Sequence, residues 1–154
     1  MPSRIGAIVA ALGASTLLGA TANPAARVTT FKVPLTGAAE SNFAHPSGGT
    51  GDLHGSGSVT LRIDPANKRV CYDFRLSGVS TPLMAHIHQG MPLQIGPPVV
   101  TLFTGPGGQL DDCVVWLHGQ LAAIVATPAD YYVSIETTEY PDGALRGQLA
   151  SSNS

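Results

Sequence analysis

The chain has 154 residues and a formal charge of −2, with only 12% of its residues charged. With no basic stripe, nucleic acid and anionic membrane surfaces have no electrostatic handle on it. Its 18 glycines and 12 prolines sit among 44% hydrophobic residues. It is too apolar for a disordered tail and too rich in turn formers for a helical bundle.

The N-terminus has the layout of a cleavable secretory signal. Arg4 precedes an uncharged run from Ile5 to Ala20, and Ala20-Thr21-Ala22 places small residues where a signal peptidase reads. A membrane anchor needs about 20 predominantly apolar residues, whereas this run is shorter and broken by Gly6, Gly13, Ser15, Thr16 and Gly19. Cleavage is expected after Ala22, with Ala26 as the main alternative. Residues 1–22 are then lost, and roughly 130 residues remain for a single secreted or periplasmic domain. No later segment is long and apolar enough to span a bilayer. In an oxidising compartment the two cysteines, Cys71 and Cys113, read first as a disulfide. Closing that loop of about 40 residues is worth about 4 kcal/mol in the chain-entropy model. The rival reading, a pair of soft metal ligands, lacks any CxxC-type neighbour.

Beyond the signal the pattern has period two. Val28 to Leu35 is the first predicted strand, with Pro34 suggesting an edge or a bulge. Gly37 to Gly57 is polar and glycine-rich, reads as a long loop, and contains His45 and His54. A hairpin follows: Ser58 to Ile63 turns at Asp64-Pro65-Ala66-Asn67-Lys68 and returns over Arg69 to Ser77. Val59, Leu61, Ile63, Val70, Tyr72, Phe74 and Leu76 face inward, and Cys71, Asp73 and Arg75 face out. Leu83 to His88 and Pro98 to Thr104 are further strands, and Gly105-Pro106-Gly107-Gly108 breaks the chain. Leu117 to Thr127 reads as a short helix on Leu121, Ile124 and Val125, ended by Pro128. Tyr131 to Thr137 and Ala144 to Leu149 form a terminal hairpin. Short strands punctuated by turns predict an all-β fold, an antiparallel, Greek-key-like β-sandwich with one short helix, covering residues 28–150.

Several stretches together resemble the CHRD domain, a β-rich module common in exported bacterial proteins. They are Phe31-x-x-x-Leu35-x-Gly37; Ala85-His86-Ile87-His88 before a Gly/Pro loop; and Pro98-Val99-Val100-x-Leu102-Phe103. The best match is Tyr131-Tyr132-Val133 with Pro141-x-Gly143-x-Leu145-Arg146-Gly147-Gln148-Leu149. Their order and spacing span nearly the whole chain after the signal. The resemblance implies a β-sandwich, and the cysteine pair falls where many bacterial members carry one. The chain departs from the family at one corner: a Val-x-Val-His-Thr pattern here reads Val133-Ser134-Ile135-Glu136-Thr137. Glu136 thus stands where the family has a histidine.

His86 and His88 are the residues most suggestive of chemistry. Residues two apart on a strand share a face about 7 Å apart along the backbone, and two imidazoles can converge on one ion at about 2.0 Å each. The plain alternative is a solvated or carbonyl-bonded pair, since Ala85 and Ile87 take the core side. Glu136 is the candidate third ligand, and His2Glu suits one zinc or copper(II) ion better than copper(I). His45, His54 and His118 are weaker candidates. No Gly-x-Ser-x-Gly elbow, H-E-x-x-H, P-loop or dinucleotide fingerprint is present. Asp111 and Asp112 read as a solvated turn beside Cys113, and Arg146 as a partner for Glu136, Glu139 or Asp142. Trp116, Tyr131 and Tyr132 read as packing.

The reading that results is an exported, non-enzymatic binding module with a candidate copper or zinc site at His86, His88 and Glu136. An extracellular adhesion domain without metal and a superoxide-dismutase-like metalloenzyme remain the alternatives. Intact-mass analysis of the exported protein is expected to show a chain starting at Asn23 with both thiols oxidised. A mass that retains Met1, or two free thiols, contradicts this reading.

Overall fold

The computed structural model describes residues 27–40 and 51–150. The expected signal segment and His45 lie outside them. Among the described residues, no helix is long and apolar enough to cross a membrane.

Eight strands are described: β1 (Thr29–Thr36), β2 (Ser56–Asp64), β3 (Arg69–Ser77), β4 (Pro82–Gln89), β5 (Pro98–Thr104), β6 (Asp111–Val115), β7 (Tyr131–Thr137) and β8 (Leu145–Gln148). One short helix, α1 (Leu121–Ala126), and two 3-10 turns complete the described elements. The strands form one continuous antiparallel sheet in the order β5-β4-β7-β8-β1-β2-β3-β6. The all-β, antiparallel expectation therefore holds. The two facing layers are halves of a single curled sheet, joined where Thr36 of β1 meets Arg146 of β8.

Curling follows from the alternation of side chains. Phe31, Val33, Leu35, Val59, Leu61, Ile63, Val70, Ile87, Val100, Val133, Ile135 and Leu145 all point to one interior and are at most 1% exposed. A sheet with one continuous apolar face this wide buries it by folding over onto itself. Phe103 of β5 reaches across to β3 and meets Phe74 edge-on, with ring centroids 5.9 Å apart. Leu121 and Ile124 of α1 are buried in the same core. Only the later part of the predicted 117–127 helix is helical. Before it, the Trp116 indole N–H donates to Gln120 Oε1 at 3.2 Å.

The β2–β3 hairpin forms as its pattern implies. Asp64 Oδ1 accepts from the Asn67 backbone N–H and Oδ2 from the Asn67 amide, and Lys68 takes the left-handed conformation that completes the turn. The sequence reading missed β6. Asp111 and Asp112, read as a solvated turn, instead begin this edge strand. A short strand paired on one side only shows no apolar alternation, so periodicity could not reveal it.

Cys71 and Cys113 form a disulfide between directly opposed residues of β3 and β6. The bonds Phe74 N–H to Leu110 O and Trp116 N–H to Lys68 O set the ladder phase. They leave Cys71 and Cys113 at a non-hydrogen-bonded position, where facing side chains come closest. The bridge thus fastens an edge strand that buries little surface. Replacing both cysteines by serine is expected to lower unfolding stability by about 2–4 kcal/mol, read as a shift in urea midpoint. An unchanged midpoint contradicts this role.

Candidate metal centre

β4, β7 and β8 lie side by side, so their outward side chains form one patch. From β4 come Met84, His86 and His88, and from β7 come Tyr132, Ser134 and Glu136. β8 adds Arg146 and Gln148. The ladder aligns His88 with Tyr132 and Gln148 in one row, and His86 with Ser134 and Arg146 in the next. An outward face is ordinarily solvated, yet Tyr132, Ser134 and Arg146 are only 3–4% exposed. The loop between β4 and β5 bonds to His88, Tyr132, Arg146 and Gln148 of this patch, and Glu40 accepts from Ser134.

Within the patch, His86, His88 and Glu136 each offer one donor atom, and these atoms all lie within 4.8 Å of one another. His86 Nδ1 is 3.4 Å from Glu136 Oε1. The two imidazoles meet edge to face with centroids 5.6 Å apart. His88 Nδ1 lies 2.9 Å from the Gly96 carbonyl oxygen. A carbonyl can only accept, so Nδ1 carries the proton and Nε2 keeps its lone pair. That Nε2 and the second carboxylate oxygen of Glu136 are both buried without a hydrogen-bond partner among the described residues. Two buried acceptors left bare each cost about 1–3 kcal/mol, and a cation between them would satisfy both.

The donor chemistry fits a metal ion. Two imidazoles and a carboxylate are an accepted zinc set, and a ligating histidine whose other nitrogen is bonded to a carbonyl is the usual outer-shell arrangement. An ion at 2.0–2.1 Å from each donor needs them within about 4.2 Å of one another. Tetrahedral geometry brings such donors to about 3.4 Å of one another, so the widest pair would close by about 1 Å or more on binding.

Arg146 does not take the place expected from sequence. The sequence pairs it with Glu136, Glu139 or Asp142 of the terminal hairpin. Its guanidinium instead donates from Nη1 to Gln94 O at 2.8 Å and from Nη2 to Met91 O at 2.9 Å. It lies 3.4 Å from the centroid of the Tyr132 ring. Burial pulls the guanidinium below its ordinary value, while Tyr132 and the Glu40 carboxylate oppose that pull. Glu136 thereby remains beside His86. Tyr132, read as packing, does pack, but its ring stacks on His88 at 4.9 Å and its hydroxyl accepts from the Gly96 N–H. The sequence signal for these neighbours was the polar alternation Tyr132, Ser134, Glu136 within a strand whose remaining residues are all buried.

The weaker candidates are elsewhere. The His54 backbone N–H donates to Asp52 Oδ1, and its side chain is exposed. His118 lies against Trp116, with centroids 5.1 Å apart.

His88 has a depressed pKa. Burial is the main cause and outweighs the Gly96 carbonyl and the Glu136 carboxylate, which favour the protonated form. A histidine with a lower pKa folded than unfolded contributes stability that is full above its ordinary 6.5 and is lost as pH falls towards the folded value. The metal-free protein should therefore lose thermal stability as pH drops below 6.5. His88→Gln should flatten that slope, as read from melting temperatures between neutral pH and mild acid. An equal slope in both proteins contradicts it.

No curated protein and no solved structure matches the chain. The family model of the CHRD domain matches residues 31–149, a span that includes all eight described strands except the first two residues of β1, along with His86, His88, Glu136 and both cysteines. The chain belongs to the CHRD domain family.

Proposed function

We propose that this CHRD domain is an exported binding module that holds one divalent transition metal ion, zinc or copper(II), through His86, His88 and Glu136. Family membership supports a binding role. The observation that carries the metal reading is the pair of bare buried acceptors, His88 Nε2 and Glu136 Oε2, beside a histidine whose tautomer is already set. The disulfide and the signal-like N-terminus support export, since such bridges persist in oxidising compartments. Three protein ligands leave a coordination position open. Through it a bound ion could be delivered or exchanged.

A specific observation favours the adhesion reading as the second choice. Met91, Leu93 and Ile95 on the loop over the patch are 53%, 63% and 52% exposed, which is apolar surface suited to contact with another protein.

Element analysis of protein exported and purified without chelators tests the proposal. About one equivalent of zinc or copper is expected in the wild type, and none in His86→Ala/His88→Ala. Glu136→Gln should weaken binding while preserving shape. Glu136→His should move the preference towards copper(I), because imidazole is a softer donor than carboxylate. A wild type that retains no metal and takes up none on reloading contradicts the proposal.

A further inference from the structure

The loop Gly90–Pro97 between β4 and β5 is held from beneath by side chains of β7 and β8. Gln148 donates to the Gly90 carbonyl at 2.8 Å, and Arg146 to those of Met91 and Gln94. Tyr132 Oη accepts from Gly96 N–H at 3.2 Å. The Gly96 carbonyl, in turn, accepts from His88.

We propose that this loop is the outer coordination shell of the metal centre, and that Arg146 is a positioning residue that sets metal affinity without touching the ion. The proposal rests on the His86–His88–Glu136 reading above. Arg146 reaches His88 by two routes. One runs through the loop: Arg146 fixes Met91 and Gln94, which leaves Gly96 where its carbonyl meets His88 Nδ1. The other runs through Tyr132. β4 and β8 flank β7 on opposite sides, so the Tyr132 ring stands between the guanidinium and the His88 imidazole.

Two backbone features indicate that the loop conformation is imposed rather than incidental. Leu93 has φ +67°, a left-handed conformation that a leucine keeps only where its surroundings over-determine it, and Arg146 holds a carbonyl on either side of it. A Cβ placed on Gly96 would come within 1.5 Å of the Gln89 carbonyl oxygen. The position therefore accepts no side chain without moving the carbonyl that orients His88. Burying an arginine is costly. Its planar fork matches two carbonyls and a ring face at once, which lysine cannot do.

Zinc affinity of the full chain, measured by competition with a chromophoric chelator, tests this. Arg146→Lys keeps the charge and loses the fork, and is expected to bind zinc about tenfold or more weakly, the range seen for outer-shell losses. Tyr132→Phe keeps the ring and removes only the acceptor for Gly96 N–H, and it should weaken binding several-fold. The copper(II) electron paramagnetic resonance spectrum of each variant should change, because the His88 ring is no longer held in place. A purely structural role would lower the apo melting temperature and leave zinc affinity and the copper spectrum as in the wild type. If Arg146→Lys fails to fold, Tyr132→Phe decides alone. Wild-type-like affinity, within about twofold, in the folded variants overturns the proposal. A wild type that binds no zinc instead overturns the metal reading on which it rests.

Discussion

One hydrogen bond organises the site. His88 commits its Nδ1 proton to the Gly96 carbonyl, and that choice leaves Nε2 as a buried lone pair pointing into a patch with a carboxylate. Had the proton been on the other nitrogen, Nε2–H would be a buried donor without a partner and the Nδ1 lone pair would face the Gly96 oxygen. Everything around the bond serves to keep Gly96 in position: the Tyr132 hydroxyl, the Arg146 fork on the loop, and a backbone approach to Gln89 so close that only glycine fits.

The fold makes that arrangement available without a cavity in the core. In a curled antiparallel sheet, the inward residues fill the interior and the outward residues of neighbouring strands become contiguous. On most of this sheet the outward face meets solvent. Over β4, β7 and β8 the loop bonds to His88, Tyr132, Arg146 and Gln148, and Glu40 meets Ser134, so these groups are held together largely out of water. The network satisfies nearly all of these groups. Ser134 donates to Glu40 at 2.6 Å and Gln148 to two backbone carbonyls. The two atoms left bare, His88 Nε2 and Glu136 Oε2, both belong to residues of the candidate donor set.

Much of this was legible in the residues. Alternation placed β2, β3, β5 and β7 almost to the residue, and the spacing of His86 and His88 put them on one face. Glu136 could be named because it stands in a family histidine position on a strand of known phase. Strand β6 could not be read, because an edge strand of five residues makes few inward demands on its sequence. Arg146 was assigned to the wrong partners for a related reason. Charge pairing within a hairpin is a local rule, whereas its actual acceptors are carbonyls more than fifty positions earlier. The loop's role was equally hidden, since Gly-Pro-Pro after Ile95 reads as a break and says nothing about which side chain its carbonyl will meet.

The most direct measurement of the central claim is long-range proton–nitrogen correlation NMR of the His88 imidazole, without and with zinc. The account requires the Nδ1–H tautomer in the metal-free protein at neutral pH and a large shift at Nε2 when zinc is added. An Nε2–H tautomer, or an Nε2 resonance unmoved at saturating zinc, would contradict it.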